Sequence, residues 1–219
     1  MPRGDIMNKK EENQEMIDKV FEKETKRSEE ITNLIIEFYN DEKNNTDEKW
    51  NELYKDIVSI MKISLVQTYK ITIQEASKIY DFFPKENISH IKYKDVKPYV
   101  YTEDGLTLEK RVLKHIKVAK NKDFNKVNRN ALISKEIKIL DTETMGVNQR
   151  LIYQKMKKLQ AVYVCLNPGG GCDRACCNTD INEWMPIAEV PSSPPYHSNC
   201  QCFLTYDEDD PEEPEDIEE

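Results

Sequence analysis

The chain has 219 residues, 38% of them apolar and 33% charged, with a formal net charge of -9. That leaves room for one domain, or one domain and a satellite, in a wet composition closer to an extended helical assembly component than to a compact enzyme. No apolar run approaches the roughly 18 residues of a membrane span. The opening MPRGDIMNKKEENQEM has no hydrophobic stretch behind its basic residues, so it is not read as a signal peptide.

Residues 1–56 carry an apolar stripe at helical spacing through Met16, Val20, Phe21, Ile31, Leu34, Ile35 and Phe38, weakened over 24–28. A polar break at 40–46 follows. Asn45 with Glu48 offers a capping box before a second stripe of Trp50, Leu53, Tyr54, Ile57, Met61, Leu65 and Tyr69. Neither stripe buries itself alone, so the two helices are expected to pair as a hairpin, with Trp50 in the core or at the hairpin contact. Thr72 and Glu75 suggest another capping box that opens a short helix, ended by Pro84.

Residues 88–101 alternate poorly and contain a proline, which suits an extended arm or edge strand. Asp104-Gly105 predicts a turn, and Thr107 a cap for a basic helix carrying Leu108, Val112, Leu113 and Ile116. A further helix runs from Phe124 toward Leu140. Asp141-Thr142-Glu143 then suits a break and a fresh start for a helix over 143–159. After Ala161 the period changes: 161–166 reads as a strand, 169–171 as a tight glycine loop, 182–190 as a link, 191–195 as a rigid proline segment, and 202–206 as a second strand able to pair with the first.

Charge is segregated along this plan. Residues 1–56 hold 16 acids against 10 bases, 107–160 hold 14 bases against 5 acids, and 207–219 hold 10 acids and no base. Such a chain meets partners of both signs. The tail cannot bury enough to fold and is expected to be disordered, serving solubility or covering the basic region until a partner displaces it. In that region Lys110, Arg111, Lys114 and Lys117 share much of one helical face, either a solvated face or a nonspecific contact for double-stranded DNA.

All six cysteines and the last of three histidines lie between 165 and 202. Cys172 and Cys176 form one close pair and His197 and Cys200 another, a Cys3His set that suits a structural zinc ion. Cys202, Cys165 or Cys177 can replace a member of it. Disulfides and buried unligated thiols remain the alternatives. The two short strands are too poor in apolar mass for a core of their own and are expected to need such a staple. Catalytic readings fare worse, because no His-x-Glu or His-Glu-x-x-His exists and nothing singles out one reactive thiol. A Cys/His-dependent toxin-like enzyme and a free nucleic-acid-binding adaptor are the alternatives in function. His90 and His115 are read as ordinary surface histidines.

Four segments carry a family resemblance. Residues 104–111 read DGLTLEKR and resemble the DGLTLSDRI turn-helix start of the phage head morphogenesis, or minor capsid, proteins of tailed bacteriophages. Residues 141–144 (DTET) resemble their RTET element, and 165–176 their cysteine pair after a hydrophobic strand. Residues 196–202 (YHSNCQC) are similar to their terminal HPNCRC. The resemblance covers about 101–206. It implies a noncatalytic minor head protein, associated with the portal protein and other head proteins, that assists head assembly and DNA packaging or delivery. The location implied is the virion head interior, with host cytoplasm during assembly. It also implies that Cys172, Cys176, His197 and Cys200 hold the terminal domain together.

The expected fold is mainly α. An elongated helical body comprises an N-terminal region (1–100) and a basic region (101–160), followed by a small Cys/His-rich β-containing domain (161–206) and the acidic tail (207–219).

Overall fold

The computed structural model describes residues 3–100, 105–159, 162–167, 184–190, 192–196 and 202–208, with side chains of the first helix from Asn8 onward. The fold is mainly helical with a small C-terminal sheet. The helices are α1 (Arg3–Tyr39), α2 (Asp47–Ile79), α3 (Tyr93–Val96), α4 (Leu108–Lys120) and α5 (Lys126–Met156). The strands are β1 (Tyr163–Asn167), β2 (Trp184–Pro186) and β3 (Phe203–Asp207).

Helices α1 and α2 form the expected hairpin, burying Met16, Ile31, Ile35 and Phe38 in one cluster with Trp50, Leu53, Ile57, Met61 and Leu65. The cap of α2 is Thr46, whose hydroxyl accepts from the Lys49 amide at 3.4 Å. Asn45, expected in that role, instead accepts from the Trp50 indole N–H at 2.8 Å. Trp50 packs on Phe38 with centroids 4.5 Å apart, and Tyr39 stacks on Phe124 at 4.4 Å. These rings bind the turn between α1 and α2 to the start of α5.

Two expected helix boundaries are absent. Helix α2 runs unbroken through Thr72, and α5 runs unbroken through Asp141-Thr142-Glu143. Side chains that resemble capping groups in sequence are engaged otherwise: Thr72 from another helix, Thr142 by its own preceding turn, and Glu143 by Arg111 of α4. Thr72 Oγ1 accepts from Asn148 Nδ2 at 2.9 Å, and Thr142 Oγ1 bonds back to the Lys138 carbonyl at 2.8 Å. The segment read as an extended arm is α3 followed by a 3-10 turn at Lys97–Tyr99. Gly105 takes φ 69°, a left-handed conformation in which a side chain is strained. Thr107 then caps α4 as expected, accepting from the Lys110 amide at 3.4 Å.

The sheet order is β2-β1-β3, antiparallel throughout. The anticipated pairing of 161–166 with 202–206 is present, in the register Val164 to Tyr206 and Leu166 to Leu204. The third strand, β2, comes from the segment read as a link. Val164, Leu166, Leu204 and Tyr206 belong to the same hydrophobic cluster as the helical stripes, and the Tyr206 ring meets Tyr80 edge-on at 5.7 Å. The helical body thus supplies the apolar mass that the strands lack. The expectation that this sheet has no core beyond a staple does not hold.

Candidate functional site

The residues of greatest chemical interest lie along α5, whose positions 142–149 are buried on every side. Its polar side chains there meet partners from four other elements. Toward α4 they form a two-step ladder. Arg111 and Glu143 make a buried ion pair through Nη1 and Oε1. One helical turn on, His115 Nδ1 lies 3.1 Å from Glu136 Oε1. Positions 111 and 115 share one face of α4, and 136 and 143 share one face of α5, and the reversed order of the two pairs reflects antiparallel packing of the helices. Burial pushes the Glu136 carboxyl up, and the His115 and Arg111 beside it pull the other way.

Toward the sheet, α5 and α1 clasp an edge strand. Because β1 is central, β3 would present unpaired backbone groups on its outer side. Gln149 Oε1 accepts from the Leu204 amide at 3.1 Å, and Asn13 Nδ2 donates to the Leu204 carbonyl at 2.7 Å. Gln149 Nε2 reaches Asn148 Oδ1 at 2.6 Å, which continues the chain to Thr72 on α2. Lys9 adds an ion pair to Asp207 at 2.8 Å. One residue of β3 is therefore satisfied from two helices.

Toward α1, Glu24 is only 2% exposed, and neither of its oxygens makes a well-formed hydrogen bond. Asp141 and Thr144 of α5 flank it. Burial, then the neighbouring Asp141 carboxyl, raises the Glu24 pKa to about 9, and burial also raises Asp141. Glu24 is a neutral acid at pH 7, which is how the interface tolerates it.

The sequence-predicted residues fare differently. Lys110, Lys114 and Lys117 are exposed on α4, while Arg111 is turned inward and removed from any solvent-facing set. His90 is exposed as read. His115 is corrected from an ordinary surface histidine to a member of the α4–α5 ladder. The structural zinc ion is also corrected: among the described residues no group of three or more His, Cys, Asp or Glu side chains is placed to hold a metal ion. The physical ground for expecting it is gone as well, since the sheet shares the helical core. The nominated ligands Cys172, Cys176, His197 and Cys200, and the alternate Cys177, lie outside the described residues, as does the acidic tail from Asp209. Cys165 and Cys202 are buried in the sheet region.

Asn13, Glu24, Glu136, Asn148 and Gln149 escaped the sequence reading. A signal existed for two of them: Asn13 lies three residues before Met16 and Glu24 four after Val20, so both continue the apolar stripe of α1. A cavity of about 370 Å³ opens between α5 and residues 192–196, lined by Arg150, Tyr153, Gln154, Ser192, Ser193 and Tyr196. Tyr153 closes its floor by donating to the Val190 carbonyl at 2.7 Å. No protein-family model matches the chain, and neither the curated proteins nor the solved structures hold a match to it.

Proposed function

We propose that the protein is a noncatalytic minor head protein of a tailed bacteriophage, associated with the portal and assisting head assembly and DNA packaging or delivery. The observation that carries this reading is the order of four motif-like segments over 101–206. Two of them are joined physically: Arg111 of DGLTLEKR pairs with Glu143 of DTET in the buried α4–α5 contact. Motif residues that look like surface charge are explained, on this reading, as fold-defining contacts. Among the described residues no helix is long and apolar enough to cross a membrane.

The test is the composition of purified particles. Mass spectrometry of heads separated from tails should find this chain at low copy number, and antibody capture should bring portal protein with it. Its absence from heads, with abundance confined to the lysate, overturns the reading.

A second reading, a free nucleic-acid-binding adaptor, draws on the exposed Lys110, Lys114 and Lys117. Duplex affinity measured from 50 to 200 mM salt, without any head protein, decides it. Three phosphate contacts predict a log–log slope of about -2.7, which a K110A/K114A/K117A variant would flatten. A slope unchanged in that variant removes the face from either reading.

A further inference from the structure

Helix α5 ends in a row of polar side chains that its contacts with α4 and β3 leave unused. Arg150, Tyr153, Gln154 and Lys157 stand at i, i+3, i+4 and i+7 and share one face of the helix end and the turn that follows. Residues 192–196, Ser-Ser-Pro-Pro-Tyr, run opposite the first three, and the space between is the cavity of about 370 Å³. That volume lies within the range of about 300–1,000 Å³ usual for small-molecule sites.

The wall is tied down by bonds from side chain to backbone. The buried Tyr153 hydroxyl donates to the Val190 carbonyl and accepts from Lys157 Nζ at 2.8 Å. Tyr196 donates to the Ser192 carbonyl at 3.1 Å, which closes the opposite segment on itself. Pro194 and Pro195, both buried, stiffen the backbone between those two residues.

What remains for a ligand is polar and carries no negative charge. Ser193 is 5% exposed, lines the cavity and makes no hydrogen bond among the described residues. A hydroxyl so placed is met by water or by a ligand in the cavity. Ser192 and Gln154 are exposed and add a second hydroxyl and a carboxamide. Arg150 has five N–H donors and sends Nη1 toward the Val100 carbonyl at 3.5 Å, so one guanidinium serves both the helix packing and the cavity it lines. No Asp or Glu is among the described residues of the lining.

We propose that this cavity is a binding site for a small organic carboxylate, its anionic end drawn to Arg150 and its apolar body lying against Tyr153, Pro195 and Tyr196. The proposal goes beyond the head-protein reading and does not depend on it. One lining cation and no lining acid select an anion, and the neutral donors around that cation suit a single charge better than the near-double charge of a phosphate monoester. The planar guanidinium fork matches a carboxylate. Lys157, with Nζ 5.1 Å from the Tyr153 ring centroid, adds positive potential from behind the floor. The two tyrosine rings and the proline give the body of the ligand apolar surface to cover.

The experiment follows the backbone amide signals of the full chain by NMR while N-acetyl-leucine is added. A ligand of about a dozen non-hydrogen atoms is expected to bind in the millimolar range or tighter. The expected result is a saturable shift confined to residues 150–154 and 192–196, and N-acetyl-leucinamide, which lacks the charge, should bind at least tenfold more weakly. Arg150→Gln, with the rest of its amide spectrum unchanged, should weaken the acid at least tenfold and leave the amide as it was. Ser193→Ala is the second variant; it removes one hydroxyl and no charge, and should weaken the acid several-fold whether or not Arg150→Gln folds. A tetrapeptide ending in leucine with a free carboxylate separates two sources of the same chemistry: tighter binding than N-acetyl-leucine assigns the site to a peptide C-terminus, and weaker binding assigns it to a free small acid. No saturable shift at these residues, equal binding of acid and amide, or binding unchanged in folded Arg150→Gln and Ser193→Ala overturns the proposal.

Discussion

Residues 126–138 and 142–149 are successive stretches of one helix, and both are rich in polar side chains. The first lies at the tip of a hairpin, where Lys126, Val127, Lys135 and Lys138 meet solvent. The second passes through the centre of the molecule, where Thr142, Glu143, Thr144, Asn148 and Gln149 are all buried. The difference teaches that charge on a helix has no fixed meaning. Arg111 and Lys110 are neighbours in sequence, yet one closes the core against Glu143 and the other is free to meet a partner.

That contrast gives a graded set of expectations. The largest loss of stability from one substitution at neutral pH belongs to Arg111→Met. Removing one member of a buried ion pair costs about 3–5 kcal/mol, read as a loss of urea-unfolding free energy. Lys114→Ala on the outer face of the same helix should move stability by less than about 0.5 kcal/mol. Equal effects of the two would erase the distinction between the regions.

Gln149→Leu comes next. It leaves the Leu204 amide without its acceptor and breaks the link to Asn148, at a cost of about 1–3 kcal/mol. Hydrogen exchange at Leu204 should accelerate more than exchange in α2. Uniform acceleration across the chain would show that the clasp is not local to the sheet.

Glu24 sharpens the comparison through pH. Its folded pKa of about 9 lies above the ordinary carboxyl value of 4.5. The folded state therefore binds the extra proton between those values, and stability from this group falls as pH rises through that window. The slope is about 1.4 kcal/mol per pH unit for one proton. Below pH 4.5 both states are protonated and the effect vanishes. Glu24→Gln should flatten the curve between pH 5 and 9, as measured by unfolding at each pH. A slope that survives the substitution would place the linkage elsewhere, with Asp141 the next group to test.

The smallest expected effect is at Val127, 76% exposed at the hairpin tip. Val127→Ser should leave stability within about 0.5 kcal/mol. A larger loss in melting temperature would mean that the tip is covered in solution.

Much of the architecture was legible in the residues. The stripes of α1 and α2, the Thr107 cap and the pairing of β1 with β3 follow from period, capping chemistry and alternation. The errors cluster where a polar residue inside a helix resembles punctuation. Thr72 and Asp141-Thr142-Glu143 read as helix starts because Thr and acids favour first turns. In the fold, Asn148 reaches Thr72 from 76 residues away and Arg111 reaches Glu143 from 32 away. The zinc expectation failed for a related reason. It assumed that the terminal strands fold on their own, whereas Leu204 and Tyr206 are buried with the helices.

The sequence by itself determined the apolar stripes of α1 and α2, the cap of α4, the segregation of charge and the two principal strands. Each of these depends on neighbours within a turn or two, and a 3.6 or 2.0 residue period records such neighbours directly. Only the tertiary structure decided which charges are structural and which face outward, that Asn13 and Gln149 close the sheet edge, and that His115 stands over Glu136. Those outcomes rest on contacts between residues far apart in the chain, and no local period encodes which distant partner arrives to satisfy a buried polar group.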